Sequence, residues 1–141
     1  MKKIAVLCLF LSLSGAAWAI AGGKPAPGDE AFKAFWQKFK TAVISVDKEA
    51  VARLSKFPIG MSYGVKSIKS RVELRRRYRA VFNEQSDAAK CFAKKTPEVD
   101  AQNPKRFEVA CPNEAGDEVV VYAFERTGMG WKFVSLDNLN E

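Results

Sequence analysis

The sequence predicts an α+β fold, with N-terminal helices packed on a curved antiparallel sheet. Three observations predict it. Apolar residues recur at steps of three and four from Phe32 to Val46, the spacing of one buried helical face. Ser70 followed by Glu73 reads as a capping box, and Leu74, Tyr78, Val81 and Phe82 then fall at i, i+4, i+7 and i+8. After Lys105 the period changes to two, with Phe107, Val109 and Cys111 alternating with Arg106, Glu108 and Ala110. Helices followed by a run of strands place the helices on one face of the sheet.

Taken in order, Met1-Lys2-Lys3, the apolar run Ile4 to Leu13 and Ala17-Trp18-Ala19 have the basic head, short apolar core and small-x-small end of a secretory signal. Cleavage is expected near Ala19, giving a soluble periplasmic or secreted protein. The apolar run is half of the roughly 20 residues that span a bilayer, so no transmembrane segment is expected. Ala16 stands where a lipoprotein would carry its cysteine. Removing residues 1–19 from the 141 leaves 122, enough for one domain with a core. Residues 20–28, rich in Gly and Pro, read as a flexible leader, and 29–141 as a single domain.

Asp29 is the expected cap of the first helix, whose buried stripe is Phe32, Phe35, Trp36, Phe39, Ala42, Val43 and Val46. Asp47 caps a short second helix ended by Pro58, and Phe57 to Tyr63 reads as extended. The capping box starts a third helix at Arg71 that runs to Asn83 or Gln85, and Ser86-Asp87 caps a further turn or two carrying Cys91. Thr96 to Lys105, holding two prolines, reads as a loop, and Pro112 to Asp117 as a turn. Glu118 to Arg126 is apolar on both faces in its middle, as a central strand is. In the last strand Trp131 and Phe133 face one way, Val134 and Leu136 the other.

Loss of the signal removes Cys8 and leaves Cys91 and Cys111, an even pair in an oxidising compartment, which is read as a structural disulfide. A redox or metal pair would need CxxC spacing or further ligands, and the chain has no His. No metal or cofactor is expected. The formal charge of +7 falls to +5 when Lys2 and Lys3 leave. Residues 66–79 hold Lys66, Lys69, Arg71, Arg75, Arg76, Arg77 and Arg79 against Glu73, a net +6, so attraction for an anionic partner is local to this segment. Export argues against nucleic acid as the physiological partner; envelope polymers and acidic head groups fit the same patch.

The order of elements, with Phe57-Pro58-Ile59, Ile68, Ser70, Glu73-Leu74, Tyr78 and Val81-Phe82, resembles the NTF2-like (cystatin-like, SnoaL-like) superfamily and its small exported bacterial members. The resemblance covers Asp29 to Leu139. It implies a cone of curved sheet closed by helices, an internal pocket, and pairing through the outer sheet face as a homodimer. Catalytic members set an Asp or a His–Asp pair deep in the cone with a Tyr donor; this chain departs from that pattern in having no His.

Two functional readings follow. On a helical wheel Arg71 lies near the centre of the buried face and Arg75 beside it, with Tyr78 one turn along: a planar anion receptor with an aromatic wall. Arg71, Arg75, Tyr63, Tyr78 and Trp131 are the candidate ligand-binding residues of a non-catalytic binding protein for a small anion or an envelope protein, the immunity or inhibitor type included. The structural counter-reading lays the stem of Arg71 over the core and pairs its head with Glu73 or a strand acid. Arg76 and Arg77 read as solvated. The second reading is a cofactor-free lyase or isomerase with Glu125 or Asp137 as base and Tyr63, Tyr78 or Tyr122 as proton donor. An open cone favours it, and a cone filled by Phe and Trp opposes it.

Overall fold

The computed structural model describes residues 27–139, with side chains from Glu30 onward; the expected signal, the expected cleavage site and the expected leader up to Ala26 lie outside the described residues. The chain forms α1 (Pro27–Ile44), α2 (Lys48–Arg53), β1 (Ser55–Met61), β2 (Ser67–Ile68), α3 (Arg71–Arg76), α4 (Tyr78–Phe82), α5 (Ala88–Lys94), β3 (Glu98–Asp100), β4 (Asn103–Pro112), β5 (Val119–Thr127) and β6 (Gly130–Asn138). The six strands make one sheet in the order β2-β1-β6-β5-β4-β3. Helices on one face of this curved sheet make the α+β cone that the NTF2-like resemblance implies.

Short-range chemistry sets most boundaries. α1 begins at Pro27, two residues inside the expected leader, so Asp29 lies within the helix and is not its cap. Proline suits a first turn, where no backbone N–H is needed. Asp47 caps α2 as expected, its carboxylate accepting the Ala50 N–H at 2.9 Å. Ser70 caps α3 by accepting the Glu73 N–H at 3.2 Å, and Glu73 reaches back to the Lys69 N–H at 2.8 Å, one residue beyond a standard capping box. Asp87 caps α5 through the Lys90 N–H at 3.0 Å.

Five expectations are corrected. The third helix is two: it breaks at Arg77 (φ −97°, ψ 13°) into α3 and α4. No Gly or Pro marks the break, but like charges at Arg71/Arg75 and Arg75/Arg79 sit four apart and oppose a continuous helix. β1 starts at Ser55, so Pro58 stands inside a strand, after a cis peptide, where pairing with β6 shifts register and needs no N–H from it. β1 runs parallel to β6, so the sheet is mixed and not wholly antiparallel. The segment read as a loop holds β3 and the start of β4, paired Glu98 with Glu108 and Val99 with Phe107. In β6 the register against β5 passes from Phe124–Phe133 to Ala123–Ser135, leaving Val134 as the extra residue of a bulge. The bulge turns Leu136 to the same face as Trp131 and Phe133, and all three are buried in one cluster.

That face is full. Phe39, Phe82, Phe92, Tyr122, Phe124 and Phe133 are wholly buried. Their rings interlock edge to face, with centroids 5.0 Å apart for Phe39 and Phe124, 4.9 Å for Phe92 and Tyr122, and 5.0 Å for Trp36 and Phe92. The α1 stripe supplies most of the lid, as its spacing requires. Val46, its last expected member, is instead 55% exposed and has a positive φ of 56°, because α1 has already ended at Ile44. Cys91 of α5 is bonded to Cys111 of β4 across a sequence separation of 20, tying the helical layer to the sheet. Among the described residues no helix is long and apolar enough to cross a membrane.

Candidate functional site

The basic segment lies on α3, α4 and the strand before them. Arg71, Arg75, Arg76, Arg77 and Arg79 are all exposed, and Leu74, Tyr78, Val81 and Phe82 hold the two short helices to the core beneath them. Two of the guanidinium groups are engaged: Arg75 with Glu49 of α2, and Arg77 with Glu73 at 3.3 Å. Among the described residues no carboxylate lies within ion-pair distance of Arg71, Arg76 or Arg79. Glu73 is held below the usual carboxylate range, first by the backbone hydrogen bond from Lys69; burial opposes this next, and the charge and hydrogen bond of Arg77 and the charge of Arg76 add to the lowering.

The five residues expected to share a pocket are placed in separate settings. Arg71 is exposed at the start of α3 and does not point into the core; the wheel that put it on the buried face ran through the break at Arg77. Arg75 bridges to α2. Tyr78 is buried, packs at a tilt against Phe82 with ring centroids 4.8 Å apart, and donates its hydroxyl to the Val43 carbonyl at 3.3 Å. Burial, with the Asp47 charge second, pushes its pKa up to about 12. Trp131 is 6% exposed at the start of β6, edge-on to Phe32 at 5.0 Å and Phe107 at 5.3 Å. Tyr63 lines a hollow of about 170 Å³ with Met61, Val65, Ile68 and Ala80, where the neighbouring cation is Arg77 and not Arg71 or Arg75.

The residues of the catalytic alternative are separated by the sheet itself. Glu125 and Asp137 project from the outer face and are bound to Arg106, whereas Tyr122 points inward. The Tyr122 hydroxyl donates to the Val81 carbonyl at 3.0 Å and shares a 3.0 Å hydrogen bond with Ser86. Burial drives its pKa far upward, which Ser86 only partly offsets. A strand alternates its side chains between faces, so residues 123 and 125 of β5 cannot meet residue 122 across the pleat.

Arg106 is the polar centre that sequence reasoning missed. Its side chain is 20% exposed and donates to Glu108 at 2.7 Å, Glu125 at 3.0 Å and Asp137 at 2.9 Å, with Asp100 at 3.8 Å. Ser135 completes the network by donating to Asp137 at 2.8 Å. Burial draws the Arg106 pKa down, but the hydrogen bonds to Glu108 and Glu125 and the charge of Asp137 outweigh it and the net shift is upward. The signal in the sequence was Arg106-x-Glu108 on the outward side of an alternating strand, with Glu125 on the next. Beside the network a hollow of about 240 Å³ is floored by Ala110 and Val121 and rimmed by Glu98, Asp100 and Glu108.

No protein-family model matches the sequence, and no curated protein matches it. Solved structures resemble its fold. An uncharacterised protein with a cystatin-like fold from Caulobacter vibrioides has a TM-score of 0.48 at 16% identity, covering 80% of this chain and 89% of its own. A domain of unknown function with a cystatin-like fold from Nostoc punctiforme has a TM-score of 0.48 at 17% identity, covering 84% of this chain and 80% of its own. Hexachlorocyclohexane dehydrochlorinase LinA-type3 from Novosphingobium barchaimii has a TM-score of 0.45 at 12% identity, covering 78% and 84%. These likenesses concern the fold and assign no activity to this chain.

Proposed function

We propose that the chain is an exported, non-catalytic binding protein whose arginine edge docks on an acidic face of an envelope protein. One observation carries this reading: Arg71, Arg76 and Arg79 stand exposed without an ion-pair partner among the described residues, on a segment of net +6. Leaving like charges unpaired on two short helices is locally unfavourable, and an acidic partner turns that cost into complementarity that steers and orients association. Ring packing inside the cone supports a surface site over an internal one. An immunity or inhibitor protein that blocks an envelope-active toxin or hydrolase is the specific form of this reading.

The test is capture of envelope proteins on the immobilised chain. Retained proteins should elute with salt, and the triple variant Arg71→Gln/Arg76→Gln/Arg79→Gln should lose them while its circular dichroism is unchanged. Equal retention by the variant refutes the reading.

A further inference from the structure

A hollow of about 550 Å³ lies away from both the arginine edge and the cone interior. Small-molecule sites typically occupy about 300–1,000 Å³. One wall is α5, which presents Lys90 and Lys94 four residues apart and therefore on one side of the helix, with Lys95 just past its end. The opposite wall is the end of β4 and the turn after it, from Pro112 to Glu114. The Cys91–Cys111 disulfide joins the two walls, and Cys91 itself contributes to the lining.

The chemistry of the walls is asymmetric. Among the described residues no carboxylate lies within ion-pair distance of Lys90, Lys94 or Lys95. Of the two acids in the lining, Asp87 already accepts the Lys90 N–H as the cap of α5, and Glu114 stands in the turn. Asn113 is fixed in that turn by accepting the Gly116 N–H at 2.7 Å and donating to Asp117 at 2.7 Å. Cys91 and Pro112 add apolar surface to the lining, and lysine side chains carry apolar stems beneath their ammonium groups.

We propose that this hollow binds a small amphiphilic anion, with its acidic head group held by Lys90, Lys94 and Lys95 and its apolar body seated on the disulfide and Pro112. The site is separate from the arginine edge and takes a different class of partner.

Anilinonaphthalene sulfonate, an aromatic body with one anionic group, is the probe. Titrated into the oxidised protein, it should shift backbone amide resonances at residues 87–95, 113 and 114. Lys90→Gln/Lys94→Gln should weaken binding by about tenfold or more, equivalent to about 1.4 kcal/mol. The charge-matched variant Lys38→Gln/Lys56→Gln, which changes exposed lysines on α1 and β1, should bind as the wild type does. Octanoate should displace the probe at concentrations where inorganic phosphate does not. The proposal is overturned if the Lys90/Lys94 variant binds as tightly as the wild type, if the charge-matched variant loses as much, or if phosphate displaces the probe as well as octanoate. None of these readouts depends on an envelope partner, so failure here is distinguishable from failure at the arginine edge.

Discussion

Replacing Cys91 and Cys111 together by Ala should lower the melting temperature by about 13 °C. The bridge closes a loop with a sequence separation of 20, and in the chain-entropy model a loop of that length destabilises the unfolded chain by about 3 kcal/mol. Cys111 is wholly buried in the next-to-last position of β4 and Cys91 lies on α5, so the loss falls chiefly on the restraint of the unfolded chain. At roughly 2.1 cal/mol/K of unfolding entropy per residue over residues 27–139, 3 kcal/mol corresponds to that temperature shift. Thermal unfolding by circular dichroism, paired with urea denaturation, reads it. The midpoint in urea should fall while the native far-ultraviolet spectrum is retained. A shift below about 4 °C would mean that the bridge does not restrain the unfolded chain as reasoned.

Three further outcomes follow from the polar groups. Arg106→Met leaves Glu108, Glu125 and Asp137 facing one another without their shared cation, and should cost about 2–3 kcal/mol; urea denaturation of the variant beside the wild type tests it. Glu73 has a depressed pKa, so its contribution to stability is present above the ordinary glutamate range and lost as pH falls through its lower folded value. Glu73→Gln should abolish that part of the acid dependence, and carboxyl NMR titration should find Glu73 titrating below the ordinary glutamate range. Tyr78, raised to about 12, favours the fold fully below pH 10 and loses that contribution as pH rises through 12; phenolate absorbance should therefore appear late and together with unfolding, and early reversible ionisation of Tyr78 would count against its buried hydrogen bond.

Where the local pattern decided the structure, it was legible. The Phe32 to Val43 stripe, the Ser70 and Asp47 caps, the alternation of Phe107, Val109 and Cys111, and the two-faced apolar centre of β5 are all set by residues within a few positions of one another. What was not legible depends on partners distant in sequence. The parallel pairing of β1 with β6 joins residues about 75 positions apart, such as Gly60 and Ser135. The Val134 bulge answers to the register of β5 and reversed the expected side of Leu136. β3 is a three-residue edge strand whose hydrogen bonds come from β4, in a segment whose prolines read as loop. The candidate pocket suffered most, because one unmarked break at Arg77 shifted the phase between Leu74 and Tyr78 and carried Arg71 to the surface.

Native mass spectrometry of the wild type and of Arg71→Gln/Arg76→Gln/Arg79→Gln, each recovered from the cell envelope, tests the central claim most directly. The account predicts a protein partner retained on the wild type at low salt and absent from the variant. The same complex on both proteins would contradict it.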